Sequence, residues 1–272
     1  AERLGIKFEH NAANAPVALN GSLKIEETRA VPGISAKLNT IAKIRGEYVI
    51  ASKYDFWFLN ADLSPKFHAA MDPWFSANVL DLVGITALDK DAYVLMGSNK
   101  SLLRVRQNPE ADDVQGWPNF TAGRSHIEAV GGLGRARIDT ERAKFSYIHS
   151  SATDGRYVFM ATVPDNKNKK QFVISKALMK DWMLSGEFVP TAEMLKKDRS
   201  LGELYVTGMV YEDGKLYAVS KNWNVLVVID VAQEAVVEAW GLPEELTDIR
   251  GLVKDGSTFE VIDANRVVKL TM

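Results

Sequence analysis

Five stretches of this sequence repeat one phrase: an apolar strand, a short polar turn, a second apolar strand ending in Ser, Thr or Asp, then a third strand. The first strands fall at 38–44, 82–88, 145–150, 206–211 and 249–254. The second strands are more alike: Tyr48-Val-Ile-Ala-Ser-Lys53, Tyr93-Val-Leu-Met-Gly-Ser98, Tyr157-Val-Phe-Met-Ala-Thr162, Leu216-Tyr-Ala-Val-Ser-Lys221 and Phe259-Glu-Val-Ile-Asp263. Self-similarity at roughly 40 to 60 residues marks a propeller or another repeat architecture. Third strands at 57–59, 102–105, 171–174, 225–229 and 266–270 are rich in β-branched and aromatic residues, which pack well on a pleated surface. Asp-Gly pairs at 213–214 and 255–256 are strong hairpin signals between first and second strands. The expected fold is all-β, a β-propeller of five four-stranded blades, or six if 106–144 hides one.

A ring of blades has to hide its two end edges. The last repeat runs out near 270 with three strands, while 23–31 alternates in part and stops at Pro32-Gly33. The N-terminal strand is therefore expected to pair with the last blade and close the ring. This gives a lead-in or linker over 1–22 and one propeller domain over 23–272, with irregular inserts at 106–144 and 175–203. In the second insert, apolar residues at 178, 179, 182 and 183 predict helical turns over 175–184. Thr191 is placed to cap another over 191–197.

With 272 residues, 46% of them apolar, the chain is long enough to bury one large β core. Its formal charge of −2 provides no net field to gather polyanions, so no nucleic-acid partner is expected. Apolar runs such as 225–229 fall far short of the ~20 residues of a membrane helix, so no direct membrane insertion of this segment is expected either. The chain has no cysteine, which removes disulfides and thiolate chemistry and fits an exported bacterial protein in a periplasmic or otherwise extracytoplasmic compartment.

Val206-Thr-Gly-Met-Val-Tyr211, Lys215-Leu-Tyr-Ala-Val-Ser220, Val227-Val-Ile-Asp230 and Thr247-Asp-Ile-Arg-Gly-Leu252 resemble the SdiA-regulated family of bacterial β-propellers and its six-bladed gluconolactonase-like and NHL-type relatives. The resemblance covers about the last quarter of the chain. It implies a propeller whose ligand sits at one end of the central channel, where the starts of the inner strands meet the turns between second and third strands.

Those positions supply Asn39, Lys53, Tyr54, Lys100, Lys221, Trp223 and Arg250 as a candidate channel-mouth site. The cations would attract an anion, and the aromatic rings offer flat apolar surface. Asn39, Asp248 and Asp263 are the candidate ligands for a calcium ion, which needs several oxygen donors. No Gly-x-Ser-x-Gly elbow is present, and His149 reads as a structural histidine. Trp74, Trp117 and Trp182 mark segments that either fill the core or meet a protein partner. The leading expectation is a non-catalytic binding or scaffold domain engaging a protein partner or a small anionic ligand. The alternatives are a calcium-assisted, lactonase-like hydrolase and an extracytoplasmic domain of a larger membrane protein, such as a disulfide-forming oxidoreductase.

Overall fold

The computed structural model describes residues 7–31, 33–53, 55–70, 81–87, 92–100, 102–106, 127–129, 147–166, 169–181 and 183–272. Two N-terminal strands, β1 (Gly21–Ser22) and β2 (Lys24–Ala30), precede the repeats. The first sheet holds β3 (Thr40–Ile44), β4 (Glu47–Ala51), β5 (Asp55–Leu59) and β6 (Pro65–Ala70). The second holds β7 (Leu82–Ala87), β8 (Ala92–Gly97), β9 (Leu102–Arg106) and β10 (Ile127–Ala129). The third holds β11 (Ile148–Thr153), β12 (Tyr157–Thr162), β13 (Ile174–Leu178) and β14 (Leu184–Phe188). After β15 (Thr191–Ala192) comes the fourth, with β16 (Val206–Glu212), β17 (Lys215–Ser220), β18 (Val225–Asp230) and β19 (Ala235–Gly241). The last repeat supplies β20 (Ile249–Asp255), β21 (Thr258–Asp263) and β22 (Arg266–Thr271), and β2 pairs antiparallel with β22.

The first strands of the sheets neighbour one another in the order β3, β7, β11, β16, β20, with β20 again beside β3. That is a β-propeller arrangement, with the first strands lining a common axis. Strand β18 shows why its sequence is a continuous apolar run. Val225, Val227 and Ile229 enter the core shared with the third sheet, and Leu226 and Val228 enter the core shared with the fifth. Both faces are buried, so the period of two separates two cores instead of core from solvent. Strand β21 divides likewise, Val261 to one side and Ile262 to the other. The hairpin between β16 and β17 turns on Asp213 and Gly214, both at positive φ (50° and 81°), the backbone a two-residue turn requires.

Three local expectations are corrected. The predicted helical turns at 175–184 are instead strand β13 and the start of β14, because Ile174–Leu178 finds β12 as a partner. Pairing with a neighbouring sheet edge overrides local helix propensity. The third strand of that repeat is consequently β13, not 171–174. Thr191 caps no helix but lies in β15, which runs parallel to β19. A capping box does form farther on, where Ser200 and Glu203 close the 3-10 turn Leu201–Glu203. Residues 9–22 pack against the fourth sheet: Ala12, Ala15 and Val17 are buried, and β1 adds to the outer edge of β19. Among the described residues, no helix is long and apolar enough to cross a membrane.

Candidate functional site at the channel mouth

Four of the inner strands carry a register irregularity near their starts: between Leu82 and Gly84, Ile148 and Ser150, Val206 and Gly208, and Arg250 and Val253. Bulges re-aim side chains and gather beside sites. Val83, His149 and Thr207 sit within three of these irregularities, and Arg250 borders the fourth. Just beyond them the strands come so close that a Cβ on Gly208 would meet the Gly251 carbonyl carbon at 2.4 Å.

Three cations at this end converge on one carboxylate, while the charge of Asp81 acts on Tyr205. Asp248 receives Lys221 Nζ at 2.6 Å and Arg250 Nε at 3.1 Å on Oδ1, and Lys37 Nζ at 3.2 Å on Oδ2. Burial pushes the Asp248 carboxyl up, but the hydrogen bond from Lys221 and the charges of Arg250 and Lys221 outweigh it and hold the group at about 2. Burial lowers Lys221, with the Arg250 charge adding to the effect and Asp248 opposing it. Arg250 reaches onward, donating from Nη1 to Asn39 Oδ1 at 3.0 Å.

His149 Nε2 shares a hydrogen bond of 2.6 Å with the Tyr205 hydroxyl. Burial, then the charges of Arg250 and Lys221, drive His149 down to about 3, and burial pushes the Tyr205 phenol up. Both are therefore neutral at pH 7, suited to hydrogen bonding and poorly suited to carrying protons. Tyr205 is held from behind: its backbone N–H donates to Asn222 Oδ1 at 2.6 Å, and Asn222 Nδ2 donates to the Glu203 carbonyl. Phe8 lies across this group, edge-on to Tyr205 at 5.6 Å and 5.1 Å from Lys221 Nζ.

Of the residues expected here from sequence, Asn39, Lys221 and Arg250 come together around Asp248. Lys53 and Lys100 occupy equivalent turns of the first two sheets. The Lys53 carbonyl accepts the Leu82 N–H at 3.1 Å, joining those sheets, and Lys100 is buried. Trp223 packs instead beneath Arg199, whose guanidinium stands 5.0 Å from its ring. Tyr54, Trp74, Trp117, Trp182 and most of 106–144 lie outside the described residues. Lys37, His149, Tyr205 and Phe8 were missed. His149 alone carried a signal, since it holds the same second place in its inner strand that Arg250 holds in its own.

The calcium donor set does not fit a cation. Asn39 and Asp248 both face the Arg250 guanidinium. Asp263 accepts the backbone N–H groups of Thr247 and Asp248 on Oδ1 and pairs with Arg266 on Oδ2 at 2.7 Å. Each oxygen is committed to a protein donor, and a fixed guanidinium repels a metal ion.

No protein-family model and no curated protein matches the chain, so the narrower resemblance read from 204–270 has no support. Solved structures do match. The glutaminyl cyclase of Myxococcus xanthus aligns with a TM-score of 0.62 at 11% identity, over 94% of this chain and 97% of that one. A luciferin-regenerating enzyme aligns at 0.53 and 10% identity, over 90% and 95%. The PQQ-bound aldose sugar dehydrogenase of Streptomyces coelicolor aligns at 0.50 and 12%, over 94% and 99%. The likeness is one of fold.

Proposed function

We propose that the chain is a five-bladed propeller, closed by β2, that binds a small organic anion at the channel mouth. The observation that carries this reading is the charge imbalance at Asp248: one carboxylate faces three cations, Lys37, Lys221 and Arg250. A ligand carboxylate or phosphate would take up the excess, and the neutral His149–Tyr205 pair would add uncharged hydrogen-bonding groups beside it. The matched solved structures include proteins named as enzymes, but the neutral pair supplies no ready base, which favours binding over turnover. The cysteine-free composition is compatible with a compartment outside the cytoplasm.

A thermal-shift series with acetate, succinate and inorganic phosphate tests the reading, since a ligand that binds only the folded state raises Tm. Saturable stabilisation by at least one anion is expected, and Arg250→Gln and Lys221→Met should each abolish it. Equal stabilisation of the wild type and both variants, or none by any anion, would sink the proposal.

A further inference from the structure

A second cavity, of 750 Å3, is lined by residues of the N-terminal segment, by Pro164 and Lys170, by the 196–203 connection and by the turn at Asn222-Trp223, and not by Asp248. Its volume is in the range of small-molecule sites. The floor residue, Trp223, is 7% exposed and adopts φ 71°, a backbone that a bulky L residue rarely takes. Strain of this kind persists only where the surroundings over-determine the backbone, and it collects at functional sites. Those surroundings are visible: the Trp223 N–H donates to the Glu9 carbonyl at 2.6 Å, and the following Asn224 is also left-handed and donates from Nδ2 to the Pro243 carbonyl at 2.9 Å.

The indole Nε1 of Trp223 is buried and has no hydrogen-bond partner. A buried donor without an acceptor carries its full desolvation cost, so an acceptor is wanted here. The charges around the cavity point the same way. Arg199 is already committed, to the Glu203 carboxylate through Nε and Nη2 and to the Asn14 carbonyl through Nη1. Among the described residues, Lys7 and Lys170 are exposed at the rim with no carboxylate in ion-pair range, and Lys196 Nζ donates to the Ala13 carbonyl at 2.9 Å. Among the described lining residues the carboxylates are Glu203, paired with Arg199, and Glu9, set against these three lysines.

We infer that this cavity is a second binding site, distinct from the channel mouth, for a small oxyanion-bearing molecule. Lys7, Lys170 and Lys196 would hold its charge, and an oxygen would accept from the Trp223 indole. The Arg199 guanidinium, 5.0 Å from the ring centroid, would have to move aside for that oxygen to reach the N–H. A carboxylate and a phosphate ester share the required chemistry.

The test follows the 15N-labelled indole resonance of Trp223, assigned with Trp223→Phe, during separate titrations with succinate and inorganic phosphate. The resonance should move saturably with at least one anion, and which one responds distinguishes carboxylate from phosphate. The double variant Lys170→Ala/Lys196→Ala should weaken that binding about ten-fold, whereas Arg250→Gln at the channel mouth should leave it unchanged. Trp223→Phe should weaken anion binding about five-fold, read by calorimetry. If that variant does not fold, the resonance is assigned from triple-resonance spectra of the wild type, and the lysine variant decides. A resonance unmoved by both anions, or moved with equal affinity in the lysine variant, overturns the inference. So does a shift abolished by Arg250→Gln, an outcome that would leave the channel-mouth reading standing.

Discussion

Asp248 and His149 illustrate opposite uses of burial at the residue scale. The folded value of Asp248 lies below its unfolded one, so the unfolded chain binds more protons between them. The resulting stability is present above about pH 4 and is lost as pH falls toward about 2. Asp248→Asn should therefore cost on the order of 2 kcal/mol at pH 7 by urea denaturation, with the gap closing as pH falls from 4 to 2. Gaps that stay equal at pH 7 and pH 2 would show that Asp248 acts by shape and not by charge. The depressed His149 has the same sign at a higher window: its stabilisation is complete above about pH 6.5 and falls away as pH drops toward 3. His149→Gln should flatten the loss of stability between pH 6.5 and 3, and an unchanged slope would mean that the ring protonates freely in the fold.

Close approach of the inner strands decides which residues they tolerate at the element scale. A Cβ on Gly208 would lie 2.4–2.7 Å from backbone atoms of Gly251, which cannot rotate away. One on Gly84 would meet mainly the Ser151 hydroxyl, at 2.0 Å, which can. Gly208→Ala should accordingly destabilise by about 3 kcal/mol and Gly84→Ala by clearly less, compared by thermal or chemical unfolding. Equal costs would contradict the backbone-contact argument. The repeat of first, second and third strands was legible because the second strands β4, β12, β17 and β21 are buried alike. The helical turns expected at 175–184 were not, since Ile174–Leu178 is a strand only because β12 and β14 stand beside it.

One buried cluster ties the chain's beginning to its end at the scale of the whole molecule. Arg29 on β2 donates to Tyr48 of the first sheet at 3.2 Å and to Glu260 of the last repeat at 2.9 Å. Tyr48 donates to the same carboxylate at 2.6 Å, and burial together with that carboxylate pushes its phenol up to about 12. Removing Glu260 would leave the Arg29 guanidinium without its counter-charge and the Tyr48 hydroxyl without its acceptor, so Glu260→Ala should cost about 3 kcal/mol. Arg29→Ala should cost less, because that side chain is 25% exposed. Deleting residues 1–31 should expose the β22 edge and produce aggregates on size-exclusion chromatography. A monodisperse monomer would show that the clasp is dispensable. By itself the sequence determined the all-β repeat and the polar turns, because local strand periodicity and repeat position fix these. Only the tertiary structure decided that Asp248 would be shared by three cations, that His149 would meet Tyr205, and that Trp223 would turn into a separate cavity. Those contacts join residues dozens to hundreds of positions apart, and side-chain direction at a bulge or a left-handed turn depends on what packs against it.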